Sequence, residues 1–189
     1  YGRHDEMKIL LHAKADVNSA SHSWPTAVWI ASYDGQADCV KTLVNHKADV
    51  NYRKYQTGES PAIMAAQNGH VLILDTLISA KADINITRNI DGRSPLHMAC
   101  EWLHEGAVRL LCSAKANIET VIPASGRTAF MTMITLDKPS IVQHLIEAKA
   151  DVNSCPVPPW HPLILAQMFE ATNCAQLLLS AKAMPPHID

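Results

Sequence analysis

Lys81-Ala82-Asp83-Ile84-Asn85 decides how this chain is read, because the phrase returns at fixed intervals. Its other copies are Lys14-Ala15-Asp16-Val17-Asn18, Lys47-Ala48-Asp49-Val50-Asn51, Lys115-Ala116-Asn117-Ile118-Glu119 and Lys149-Ala150-Asp151-Val152-Asn153, and Lys182-Ala183 opens a sixth. Successive lysines are 33, 34, 34, 34 and 33 residues apart. A closed globule has no physical reason to keep such a period, whereas a solenoid built from one repeated unit must keep it.

Outward from that phrase, a second one keeps step: Ser60-Pro61-Ala62-Ile63-Met64-Ala65-Ala66, Ser94-Pro95-Leu96-His97-Met98-Ala99-Cys100 and Thr128-Ala129-Phe130-Met131, with weaker copies at Thr26-Ala27 and His161-Pro162. A hydroxyl side chain followed by Pro predicts a helix start. The hydroxyl caps free amides, and Pro at the first helical position gives up no hydrogen bond. Gly35 and Gly69 mark where this first helix should stop, and Leu103, Asp137 and Glu170 hold the same place later. A second helix is then predicted from apolar residues at i, i+3 and i+4: Val40, Leu43, Val44; Leu74, Leu77, Ile78; Val108, Leu111, Cys112; Val142, Leu145, Ile146; and also Met7, Leu10, Leu11. A two-helix unit this small cannot bury such a stripe alone, so neighbouring units must stack. Turn residues Gly58, Asp91-Gly92 and Gly126 predict a projecting hairpin-like loop between units.

These phrases closely resemble the ankyrin repeat, whose pattern runs Asp-x-x-Gly-x-Thr-Pro-Leu-His-x-Ala-Ala-x-x-Gly-His, a Leu-rich helix and Gly-Ala-Asp-Val-Asn. Asp91 to Asn117 is the nearest stretch. The tetratricopeptide repeat has the same period, but its Trp-x-x-Leu-Gly signature is missing. The resemblance implies an all-α fold, a right-handed solenoid of stacked helix-turn-helix repeats. It covers one domain, residues 1–189: a partial repeat at 1–23, repeats at 24–57, 58–91, 92–125 and 126–158, and a last repeat with tail at 159–189. The family's Gly at the end of the second helix is Lys in all six copies, at Lys14, Lys47, Lys81, Lys115, Lys149 and Lys182. If that position is left-handed, each Lys costs about 1 kcal/mol against Gly, partly offset by a cation at the negative helix end. An acidic partner could read the resulting ladder, but duplication of one tolerated cap explains it without any function, and single-sign surface stripes are more often solvated than bound.

Composition narrows the functional classes. A net charge of −2 is far from the basic surplus of a nucleic-acid binder. Five scattered cysteines without a CxxC pair predict neither a disulfide framework nor a zinc ribbon, and point to a reducing compartment such as the cytoplasm or nucleus. No apolar run is long enough to span a membrane, and the first residues are too polar for a secretion signal. No Gly-rich phosphate loop, nucleophile elbow or paired acids are found, so no enzyme activity and no cofactor are expected. His97, Glu101 and His104 have a spacing that can carry a metal, but the resemblance makes His97 the motif histidine that bonds the adjacent loop.

Within the resembled family, partners bind the concave face, through side chains that depart from the repeat pattern. The pairs just before the end of the first helix are Tyr33-Asp34, Gln67-Asn68, Glu101-Trp102, Thr135-Leu136 and Met168-Phe169. Their second members turn from polar to apolar toward the C-terminus. Trp24, Glu59, Arg93, Arg127 and Trp160 are expected at loop tips. Aromatic and Arg side chains tend to dominate binding energy, which favours Trp102, Leu136 and Phe169 as one surface, although such rings could also pack on neighbouring loops. The expected function is a non-catalytic interaction module or scaffold for a protein partner. The alternatives are a regulatory or targeting domain of a larger enzyme or channel, and a structural subunit of an assembly. The apolar Leu177-Leu178-Leu179 near one end, and a start partway through a repeat, predict that further repeats or a companion subunit cover a stack end.

Overall fold

In the computed structural model, residues 3–21, 24–158 and 160–184 are described. The prolines at 185 and 186, expected to end regular pairing, and residues 1 and 2 of the polar start lie outside them. The first helices are α2 (Ala27–Tyr33), α4 (Pro61–Gln67), α6 (Pro95–Glu101), α8 (Ala129–Thr135) and α10 (Pro162–Met168). The second helices are α1 (Arg3–His12), α3 (Ala37–Asn45), α5 (Val71–Ser79), α7 (Glu105–Ser113), α9 (Pro139–Glu147) and α11 (Thr172–Ser180). First helices pack on first helices and second on second, so the molecule is two parallel rows with the core between them.

Each first helix begins as its sequence dictates, with one exception. Ser60, Ser94 and Thr128 accept hydrogen bonds from the amides of Ile63, His97 and Met131 at 3.3, 3.4 and 3.2 Å. Thr26, expected to do the same, makes no side-chain cap, and its buried hydroxyl has no partner among the described residues. The helix ends are equally regular. The chain leaves the first helix through a left-handed residue in all five repeats, glycine or not: Gly35, Gly69, Leu103, Asp137 and Glu170. It leaves the second through the lysines, at φ between 63° and 71°. At Lys47 the amide reaches back to Val44 O and the Ala48 amide to Leu43 O, both at 3.0 Å, which satisfies carbonyls the helix would otherwise leave free.

The recurring phrase has a structural cause. Asn18, Asn51, Asn85 and Asn153 each accept a hydrogen bond from a backbone amide of the next repeat, at Asp49, Asp83, Asn117 and Met184, over 2.7 to 2.9 Å. Glu119 does so for Asp151 at 3.0 Å. The carboxylate or amide two residues earlier holds each acceptor's own amide, as Asp83 does for Asn85 at 2.8 Å. Asp-Val-Asn is thus a cross-repeat clasp, in which the turn of one unit satisfies the backbone of the next.

Between the rows, the stripe of α3, α5, α7 and α9 is buried at its first two members, and Val44, Ile78, Cys112 and Ile146 lie at its edge, while Met7 of α1 is only partly buried. Burying each leucine of this stripe stabilises the stack by roughly 2 kcal/mol. Leu10 breaks the rule: it is 59% exposed, whereas its counterpart Leu43 is 1% exposed, because no described first helix stands in front of α1. The projecting loops are hairpins closed by bonds such as Gly58 N–H to Lys54 O at 2.8 Å and Gly92 N–H to Arg88 O at 3.0 Å. Only one pairs as a sheet among the described residues: β1 (Val121–Ile122) runs antiparallel to β2 (Arg127–Thr128), with Val121 opposite Thr128. The loops also nest. At Gly92, φ is 73° and a Cβ would meet Pro123 Cδ of the next loop at 2.4 Å, so only Gly fits.

Candidate functional site

The first helices are seven residues long, two turns; each starts where its hairpin returns and ends at the tight turn into the second helix. Side chains of the last turn still meet loop arms: Glu101 lies 2.7 Å from Arg93 of its own loop, and Phe169 lies 5.4 Å from Arg127 of the preceding one. Trp102, Leu136 and Phe169 hold the same place in three consecutive repeats and are 58%, 51% and 45% exposed, and Met168 beside them is 60% exposed. Leu103 adds a further exposed apolar side chain next to Trp102, at a position where two repeats have Gly and two have an acid. Sequence reasoning took Leu103 only as a missing Gly. The apolar residue beside Trp102 was the signal it passed over.

Toward the N-terminus the same positions are polar and partly spent on the fold. Asn68 donates to the Tyr33 carbonyl at 3.2 Å, as does His70 Nε2 at 3.2 Å, while His104 Nε2 reaches the Gln67 carbonyl at 3.0 Å. Asp34 is exposed. Tyr33 stacks on Trp29, with centroids 5.7 Å apart and planes within 8°. Trp29 in turn donates to the Glu59 carbonyl at 3.2 Å beneath the Lys54 ammonium, 5.0 Å from its ring.

Glu59, Arg93, Arg127 and Trp160 sit immediately before the first-helix caps, on the returning arms of their loops, and Tyr55 and Ile90 are the exposed apolar residues nearer the tips. Glu59 accepts from Thr57 at 2.9 Å. Arg93 is clamped by two carboxylates, its Nε on Glu101 at 2.7 Å and an Nη on Asp91 Oδ2 at 2.8 Å, and Arg88 reaches the same Asp91 oxygen at 3.3 Å. Those acids hold the Arg93 pKa above its usual value. Arg127, one repeat on, lies 4.4 Å from the Trp160 ring and 5.4 Å from that of Phe169. Trp160 is accordingly half-buried packing. Trp24 is exposed in the approach to α2, two repeats from Trp102, with its amide on Ser21 Oγ at 3.1 Å.

The three residues with metal-like spacing go separate ways. His97 is buried, its Nδ1 taking the Ser94 hydroxyl at 2.9 Å, and burial together with the Arg93 charge pushes its pKa down to about 4. Glu101 serves Arg93, and His104 serves Gln67. Among the described residues no group of three or more His, Cys, Asp or Glu could hold a metal ion. Four of the five thiols, Cys39, Cys100, Cys112 and Cys174, are poor nucleophiles. Burial raises the pKa of Cys39 and Cys100 and pushes those of Cys112 and Cys174 up to about 11 and 12, with Asp137 also raising the last. Among the described residues no helix is long and apolar enough to cross a membrane.

A search among curated proteins found no match. The family model for ankyrin repeats (3 copies) matches residues 1–88 and 63–155, and these two overlapping blocks take in most of the paired helices and left-handed turns described above. By that match, and by the fold that accompanies it, the chain belongs to the ankyrin-repeat family.

Proposed function

We propose that this chain is a non-catalytic scaffold that grips a protein partner along the row of first-helix ends and returning loop arms, its concave face. Ankyrin repeats are in general protein–protein interaction modules. The observation that carries the finer reading is the row Trp102, Leu136, Met168 and Phe169, each 45% or more exposed on adjacent repeats. Nothing in the stack uses these side chains as core, and contiguous exposed apolar surface on a folded protein marks a place of contact. Large apolar and aromatic groups there supply affinity, and the polar positions Asp34, Gln67 and Asn68 at the other end supply orientation. Five unpaired thiols, three of them buried, support a reducing compartment such as the cytoplasm.

The test is affinity capture from the native source with the wild-type chain and with Trp102→Ala and Phe169→Ala separately. Loss of the same protein from both variants, with their folds intact by circular dichroism, is the expected result. Undiminished capture by both would remove this face from the proposal.

A further inference from the structure

Arg93 and Arg127 occupy one position in consecutive repeats, and the difference in their surroundings is informative. Around Arg93 the carboxylates of Asp91 and Glu101 complete the guanidinium at 2.8 and 2.7 Å. The residues 34 places further on are Ser125 and Thr135, so both acids are replaced by hydroxyls. Neither hydroxyl serves Arg127's guanidinium: Thr135 turns its own onto the Thr132 carbonyl at 2.8 Å, and Ser125 takes the Arg127 backbone amide at 3.4 Å. No carboxylate among the described residues forms an ion pair with Arg127. Its Nε is buried without a hydrogen-bond partner among the described residues. The guanidinium is held instead by the rings of Trp160 and Phe169. Those faces fix its plane but leave the N–H edge unsatisfied, since a stacked guanidinium still presents its donors in plane.

We propose that Arg127 is the polar anchor of the apolar row, and that it receives a carboxylate from an Asp or Glu flanked by apolar residues in the partner's polypeptide. This rests on the reading of that face given above. Repeat 3 supplies the chemistry as a pattern: the same guanidinium position, satisfied internally by carboxylates, is left open one repeat later against Trp160 and Phe169. Planar, ring-held Arg is suited to bidentate carboxylate recognition, and the surrounding apolar groups exclude water from the pair.

A random peptide library displayed against the 189-residue chain provides the probe, with affinities then measured for a selected peptide. Selected peptides should share an Asp or Glu with apolar neighbours. Arg127→Gln, and separately the peptide's acid changed to its amide, should each weaken binding about tenfold, and the two together little more than either alone. Arg127→Lys should keep part of the affinity, which guards against a folding defect in Arg127→Gln, and Arg109→Gln on the exposed side of α7 should change nothing. Selected peptides without a shared acid, an unaffected Arg127→Gln, additive losses, or displacement by inorganic phosphate would each overturn the carboxylate assignment. If Trp102→Ala and Leu136→Ala weaken the peptide while Arg127→Gln does not, the anchor falls and the face stands. If none of the three does, both fall.

Discussion

The two edges of each repeat are built under opposite rules. At the back, where the second helix turns out through Lys-Ala-Asp-Val-Asn, nearly the same side chains recur in every unit, because an asparagine or glutamate must reach a backbone amide of the next repeat. At the front, where the first helix ends, the corresponding series Asp34, Asn68, Trp102, Leu136 and Phe169 never repeats. Uniformity follows a backbone hydrogen bond that each unit owes its neighbour. Variation is left to places where the stack requires little beyond the Asn68 bond to the Tyr33 carbonyl, and there binding chemistry can be placed without loss of fold.

Substitutions can break or sharpen this contrast. The largest effect is expected at Gly92→Ala, where a left-handed φ and the approach of Pro123 combine, and a loss of roughly 2–4 kcal/mol in chemical denaturation follows. A loss below that range would mean the loops slide past each other freely. Next comes acid sensitivity. His97 is neutral in the fold down to about pH 4 but binds a proton below about 6.5 once unfolded, so stability is full above that value and is lost as pH falls from 6.5 toward 4. The span amounts to about 3 kcal/mol, and His97→Gln, which keeps an acceptor at the cap, should flatten that part of a pH series of melting temperatures.

A smaller loss, about 1 kcal/mol, is expected of Asn85→Ala at the back edge, because the Asn117 amide loses its acceptor. Lys81→Gly at the same turn should run the other way, raising stability by about 1 kcal/mol or slightly less, since φ at 64° suits Gly and the helix end forgoes only a weakly placed cation. If Lys81→Gly destabilised the stack, the ladder lysines would be holding more than a tolerated cap. At the front edge, Trp102→Ala should change stability by no more than about 0.5 kcal/mol.

Period, helix pairing and left-handed exits were all legible in the sequence, because each leaves a mark at a fixed register: Ser-Pro at a helix start, an apolar triplet on the second helix, and Lys where the chain turns back. The meaning of Asp-Val-Asn was less legible, since its bonds join residues about 32 apart that no local rule connects. Thr26 stands at the N-cap that the phrase predicts but makes no side-chain cap, because a hydroxyl before a helix says nothing of how it is turned. The front face was half legible. Its polar-to-apolar drift could be read from residue types, but the burial of Trp160 against Arg127, and the open edge that contact leaves, depend on side chains from two repeats meeting. Composition cannot report that.

The most direct measurement is hydrogen–deuterium exchange of the chain with and without its captured partner. Protection should concentrate in α6, α8 and α10 and the arms at 86–94 and 120–128, with α5, α7 and α9 unchanged. Protection confined to those second helices and the lysine turns would place the partner on the back edge and contradict the division of labour between the two edges.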